Sequence, residues 1–344
     1  MNNSDESRRG TRPIDRARDS AGSATIPPES GNIVTVKVIA DRMYFLAENG
    51  LTSAVMADQI DPKRTNPNIP HVVHHIELGY GAKQRFMRKT VGVAFELADE
   101  TYLPEHVDAE ALLVLAIEIA ASLASVMEVV DELSSHQAET RVKGEAGQLS
   151  AAYVPRTPNL KGKVRQSLAA LRDVEVAIKK TTAQFYPKDA AKDPWDKKLK
   201  PAMLEKYGND EGFEEFVGCA WSVMECIADH RHAMIHQDGE KSVTIYDYEL
   251  DASGAFVAPT IEIAHPRNPF PRHDIGQFLK TQLEHIAEVY EALLGYMCDL
   301  NVRSLNEAFE SFVTALPDGE QRSGSHLVWS TKIVGAFPDK PANA

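Results

Sequence analysis

The run DEGFEEFVGCAWSVMECIADHRHAMIHQDG (residues 210–239) carries an apolar stripe through Phe213, Phe216, Val217, Ala220, Met224, Ile227 and then Met234. Returns every three or four positions are the signature of an amphipathic helix with one face against a core. Asp210 opens the segment, and Asp238 with Gly239 ends it. On the face that steps through Phe213, Val217, Ala220, Met224 and Ile227, the next position is Arg231, where Leu or Ile is expected. A buried guanidinium without a partner is very costly, so Arg231 must meet a carboxylate, a carbonyl, a subunit interface or an anionic ligand. One arginine and three histidines (His230, His232, His236) crowd the seven positions from 230 to 236.

Working outward, similar periodicity predicts a helix from about Gly81 to Thr101 and a second from Pro104. A third helix carries Leu168, Leu171, Ile178 and Phe185, after a polar linker from about Gln137 to Asn159. Asp274 with Gln277 has capping-box spacing at the head of a last long helix, and Ser304 with Glu307 repeats it before a short one. KSVTIYDYELDASGAFVAPTIEIA (residues 241–264) reads as two strands joined by the DASG turn. Residues 33–39 alternate as a half-buried strand, residues 44–60 are ambiguous, and DPKRTNPNIP closes that opening section. The expected fold is mainly α: an up-and-down helical bundle with a small β-hairpin and a short N-terminal strand region. The expected divisions are a disordered leader (1–31), a small α/β extension (32–80), the bundle (81–315) with its hairpin at about 241–264, and a tail (316–344).

Composition narrows the function. A net charge of −13 argues against a protein that coats DNA through surplus Lys and Arg. Cys219, Cys226 and Cys298 are an odd set without CxxC spacing, which suits free thiols in a reducing compartment. The polar N-terminus lacks the apolar centre of a secretory signal. ALLVLAIEIAASLASVMEVV, from Ala111, is interrupted by Glu118 and Glu128, so it reads as a helix buried in protein. The expectation is a cytoplasmic protein with no membrane association. GxGxxG, P-loop and GxSxG patterns are missing, and no carboxylate pair is set for glycosidase or two-metal chemistry.

Arg231, His232, Ala233, Met234, Ile235 and His236 form RHAMIH, which resembles the Arg-polar-x-x-x-His signature of the HEPN superfamily. That family's members are helical-bundle proteins, and many are metal-independent endoribonucleases of defence and toxin–antitoxin systems. Arg and His at comparable spacing also occur as Arg64 with His71 and as Arg267 with His273, but both of those lie in proline-broken runs. Only Arg231 and His236 lie on a strongly amphipathic helix. The resemblance spans residues 81–302 in architecture and six residues in motif. It implies RNA as substrate, Arg231 on the scissile phosphate, His236 in proton transfer, and His232 orienting or sharing that work. It also implies products with a 2′,3′-cyclic phosphate, no metal and no cofactor, and a homodimer with a composite cleft. An antitoxin or other regulatory protein is the further partner it implies. The chemistry is sound for these side chains, since imidazole moves protons near neutrality and guanidinium matches phosphate oxygens.

Competing readings accompany each feature. In the competing reading Arg231 is met by Glu225, Asp229 or a carboxylate of another helix, with His232 and His236 at a frayed end. The chain would then be a non-catalytic bundle that binds a protein or a nucleotide. On an ideal helix Arg231 lies about 140° round from His236. HVVHH (His71, His74, His75) offers metal-type ligands without a matching carboxylate or Cys pair, and reads first as a surface feature. Between Lys161 and Lys206, 12 Lys and Arg face 6 Asp and Glu, with Trp195 among them. That excess marks either a nucleic-acid path or a solvated face.

Overall fold

The computed structural model describes residues 12–20, 26–145, 154–186, 195–304, 306–317 and 324–334. The chain divides into two compact units, Met1–Gln84 and Arg85–Ala344.

In the first unit, β1 (Ile33–Ile39), β2 (Arg42–Ala47), β3 (Leu51–Met56) and β4 (Val72–Leu78) form an antiparallel meander in the order β1-β2-β3-β4. One face of the sheet carries Phe45, Ala47 and Ala54 under Ile26, with Met43 and Val72 at the margin of this small core. The ambiguous run at 44–60 resolves into strands plus the single turn α2 (Ala57–Ile60). The helix expected from Gly81 starts instead at Arg85, and Gly81 lies so close to β2 that a Cβ there would stand 2.3 Å from the carbonyl oxygen of Ala47.

Part of the expected disordered leader is helical: α1 (Pro13–Arg18) buries none of its residues, and charge holds it instead. The Arg18 guanidinium reaches Asp58 (3.1 Å), Asp61 (3.8 Å) and the carbonyl of Asn66 (3.2 Å), while Arg64 bridges Asp58 (2.6 Å) and Asp19 (2.8 Å). Residues 1–11 and 21–25 of that leader lie outside the described residues.

The second unit opens with α3 (Arg85–Met87), a π-helical turn (Arg88–Gly92) and α4 (Val93–Leu97). Four long helices follow: α5 (Ala109–Glu145), α6 (Leu160–Gln184), α8 (Glu211–Ile235) and α9 (Ile275–Leu300), with the shorter α7 (Lys200–Tyr207) between α6 and α8. α6 packs on α5, α8 and α9, and the shared core includes Ile119, Leu123, Val164, Leu171, Phe213, Phe278 and Leu294. Within α5, the stretch Ala109–Glu139 is long and apolar enough to cross a membrane, yet 56% of its most apolar window is buried inside the protein. The helix is covered by its neighbours, as a core helix is.

The hairpin is present with its DASG turn, but it is bent and extended. β5 (Ser242–Tyr246) pairs with β8 (Thr260–Ala264), and β6 (Glu249–Leu250) pairs with β7 (Phe256–Val257). β9 (Phe270–Asp274) adds a third strand in the order β5-β8-β9. A further hairpin joins β10 (Phe309–Ala315) to β11 (Leu327–Ile333). The short helix expected from Ser304 and Glu307 is therefore replaced by strand pairing, and part of the expected tail is β11.

The fold is accordingly mixed α/β, with eleven strands in four sheets among the described residues, and not the mainly α bundle that periodicity predicts. Two physical reasons account for the difference. Pro269 and Pro271 hide β9, yet an edge strand tolerates proline because it lacks a ladder partner on one side. β10 and β11 stabilise each other through a seven-pair register that neither carries alone.

Ring contacts at 5.4–5.7 Å among Tyr186, Tyr207, Phe213 and Tyr296 tie the start of α8 to the end of α9. The C-terminal end of α8 is thereby placed at the opposite end of the helices, against β5 and β8.

Asp274 accepts the N–H of Gln277 (2.8 Å) at the head of α9, whereas Ser304 caps no helix. Asp274→Ala is expected to lower stability by about 1 kcal/mol and Ser304→Ala to leave it within about 0.5 kcal/mol. Urea unfolding of both variants checks this; equal losses would show that the capping spacing at Ser304 is used after all.

Candidate functional site

α8 starts where Asp210 accepts the N–H of Phe213 (3.0 Å), and its stripe of Phe213, Val217, Ala220, Met224 and Ile227 is almost wholly buried. Beyond Ile227 the helix leaves the core by degrees. Asp229 and His230 are buried, Arg231 and His232 half-buried, and His236 exposed. His236 has non-helical backbone angles, and its N–H bonds the carbonyl of His232 (2.8 Å), so the last turn closes there. Asp238 then accepts the N–H groups of Glu240 (3.0 Å) and Lys241 (2.9 Å) in a tight return.

The structure brings His232 and His236 together, with ring centroids 5.0 Å apart, as expected four residues apart on a helix. It does not bond Arg231 to either of them. Among the described residues Arg231 makes no hydrogen bond and no ion pair. Two of the carboxylates expected to meet it are engaged by Arg267, whose guanidinium contacts Glu225 (3.5 Å) and Asp229 (2.5 Å). Asn268 donates a second side-chain bond to Asp229 (2.8 Å), and Nδ1 of His265 lies 3.4 Å from the same carboxylate.

His265, Arg267 and Asn268 were not visible as site residues in the sequence. They lie between β8 and β9 in AHPRNPF, and their partner is some 38 residues away on another element. The available signal was Asp229 itself, an acidic residue placed among core positions of α8, which demands a cation from somewhere.

His230 is the structural histidine of the group. It packs on Phe278 and Phe270, and its Nε2 donates to the carbonyl of Asn268 (3.2 Å). Burial pulls its imidazole down to about 4, against the bond to Asn268 and the charge of Asp229, so the ring is neutral in the folded protein. Burial, and then Asp229, push the neighbouring Cys226 thiol up to about 11, which makes it a poor nucleophile. His232 is also held below the ordinary histidine range, first by partial burial and then by Lys241, His236 and His265, with Asp229 opposing. A neutral imidazole at this helix end is free to accept a proton.

The other candidates separate. His74 pairs with Ala54 and His75 with Ser53 in β4, so they point to opposite faces of the sheet and cannot share an ion. No group of three metal-ligating side chains converges among the described residues. Several cations of the basic run are held internally: Lys163 by Glu132, Arg172 and Lys179 by Glu175, and Lys206 by Asn301 (3.1 Å). Residues 187–194 of that run lie outside the described residues. Cys219, Cys226 and Cys298 are free thiols.

Set against models of known families, curated proteins and solved structures, the chain matches none.

The depressed His230 has a consequence for stability. Its unfolded state takes up a proton below about pH 6.5, whereas the folded state resists until about 4. Stability contributed by the neutral ring is therefore complete above about 6.5 and is lost as pH falls through that window, by roughly 3 kcal/mol. Urea unfolding at pH 7 and pH 4.5 is expected to show a smaller pH-dependent loss for His230→Gln than for wild type. Equal losses would remove His230 from this role.

Proposed function

We propose that this chain is a metal-independent endoribonuclease of the HEPN type, acting in the cytoplasm as a homodimer and as an RNA-cleaving toxin or antiphage defence effector. One observation carries the reading: Arg231 stands half-buried and without an internal partner among the described residues, next to a surface pair of imidazoles 5.0 Å apart. A guanidinium in that state favours an external anion, and a phosphodiester is the anion that two histidines can also transform.

Strand cleavage without a metal needs a base for the 2′-OH, an acid for the departing 5′-oxygen and a cation for the charge that builds on phosphorus. His232, neutral at its helix end, takes the 2′-OH proton. The 2′-oxygen attacks phosphorus, the bond to the 5′-oxygen breaks, and His236 returns a proton to the leaving group. Arg231 holds the non-bridging oxygens, and the product carries a 2′,3′-cyclic phosphate. Because Arg231 and His236 are not bonded to each other within one chain, a second copy that brings its own Arg231 or His236 across the cleft completes the set. The exposed His236 is also where a regulatory protein would silence the enzyme. Three free thiols fit a reducing cytoplasm.

The test is cleavage of total RNA and tRNA by purified protein in excess EDTA, with end-group analysis. Wild type is expected to yield cyclic-phosphate ends, and Arg231→Ala and His236→Ala to lose at least roughly 100-fold in rate. No cleavage by a well-folded wild type would turn the reading toward a bundle that binds a protein or a nucleotide through the same surface.

A further inference from the structure

Behind His232 stands a polar assembly that the reaction above does not use. Asp229 is 4% exposed and His265 7%, and neither has an evident packing reason to be polar. The two oxygens of Asp229 are divided between Arg267 (2.5 Å) and Asn268 (2.8 Å). Backbone N–H groups of Arg267 (3.3 Å) and Asn268 (3.4 Å) converge on Nδ1 of His265. The His265 ring then meets His232 nearly edge-on, with centroids 6.4 Å apart and planes at 70°. Arg267 is well exposed, so the assembly is a buried carboxylate with a solvent-facing counter-ion.

We infer that Asp229 and His265 are positioning residues for His232: the carboxylate anchors the 265–268 loop to the end of α8, and that loop sets the His265 imidazole against the His232 ring. The inference deepens the ribonuclease reading and rests on it for its catalytic meaning. Structural packing alone would not require a charged anchor here, since a buried ion pair is weak support for stability compared with apolar side chains of similar size. What the arrangement supplies is a fixed orientation and a fixed field at one imidazole, as outer groups do around other reactive histidines.

The charged and titratable groups facing His232 are Asp229 and His236 on its own helix, Asp238 and Lys241 on the return after it, and His265 with Arg267 on the loop after β8. Asp229 favours the protonated ring, while Lys241, His236 and His265 oppose it. Changing the anchor therefore has a sign. Asp229→Asn removes a negative charge beside His232, so His232 must become harder to protonate. Arg267→Gln unmasks Asp229, so His232 must become easier to protonate, while Asn268 still holds the carboxylate.

The experiment is NMR titration of the full chain with labelled histidine, with the His232 signal assigned through His232→Asn. Opposite movements of the His232 midpoint by about half a pH unit, the size expected for charges several ångströms apart near a surface, support the inference. The acid limb of any RNA cleavage must move with them. A midpoint unmoved in both variants, or moved the same way in both, overturns it, whether or not RNA is cut. If His232 responds as stated but wild type cleaves no RNA, the positioning stands and the ribonuclease reading falls.

Discussion

The carboxylate of Asp229 is the constraint around which the end of α8 is organised. A buried negative charge has to be met, and it is met by a loop from a different part of the chain, through Arg267 and Asn268. That pairing docks the turn between β8 and β9 onto the helix, seats His265, and gives His230 a carbonyl to bond. It also decides the state of Arg231. With Asp229 and Glu225 both engaged by Arg267, the second arginine has no internal claim on it among the described residues. The histidines divide accordingly: His230 becomes part of the core, while His232 and His236 face outward as a pair.

Much of the helical content was legible because apolar periodicity is local. α6, α8 and α9 lie where the stripes of Leu168, Phe213 and the Asp274 cap place them. The strands were legible only in part. β1 and the hairpin at 242–264 show alternation and a turn, but β9 is masked by Pro269 and Pro271, and β10 and β11 gain their identity only from each other. α1 was invisible for a third reason. It buries no apolar residue, so nothing in its pattern announces that Arg18 will close onto Asp58 and Asp61.

The site divides the same way. RHAMIH could be found by inspection, together with the oddity of an arginine on an apolar face, because both are properties of one helix. The identity of the residue that balances Asp229 could not, since Arg267 is 38 positions away in a run whose prolines suggested only a loop. In the sequence Arg267 reads only as half of an Arg–His pair with His273 in a proline-broken run. The chemistry of its side chain is spent on Asp229 and Glu225, and it is the half-buried Arg231 that has no such partners among the described residues.

The burial of α5 also bears on how the chain is made. Its stretch Ala109–Glu139 is long and apolar enough to cross a membrane, and its cover comes from α6, which follows closely, and from α9, which ends at Leu300. At synthesis rates of about 5–20 residues per second, roughly ten to thirty seconds pass between the emergence of α5 and that of α9. Throughout that interval a stretch apolar enough to suit a bilayer is only partly sheathed. Newly made chains would therefore lean on chaperones that shield such a helix, or be drawn toward membrane-insertion machinery, until the C-terminal helix arrives to cover it.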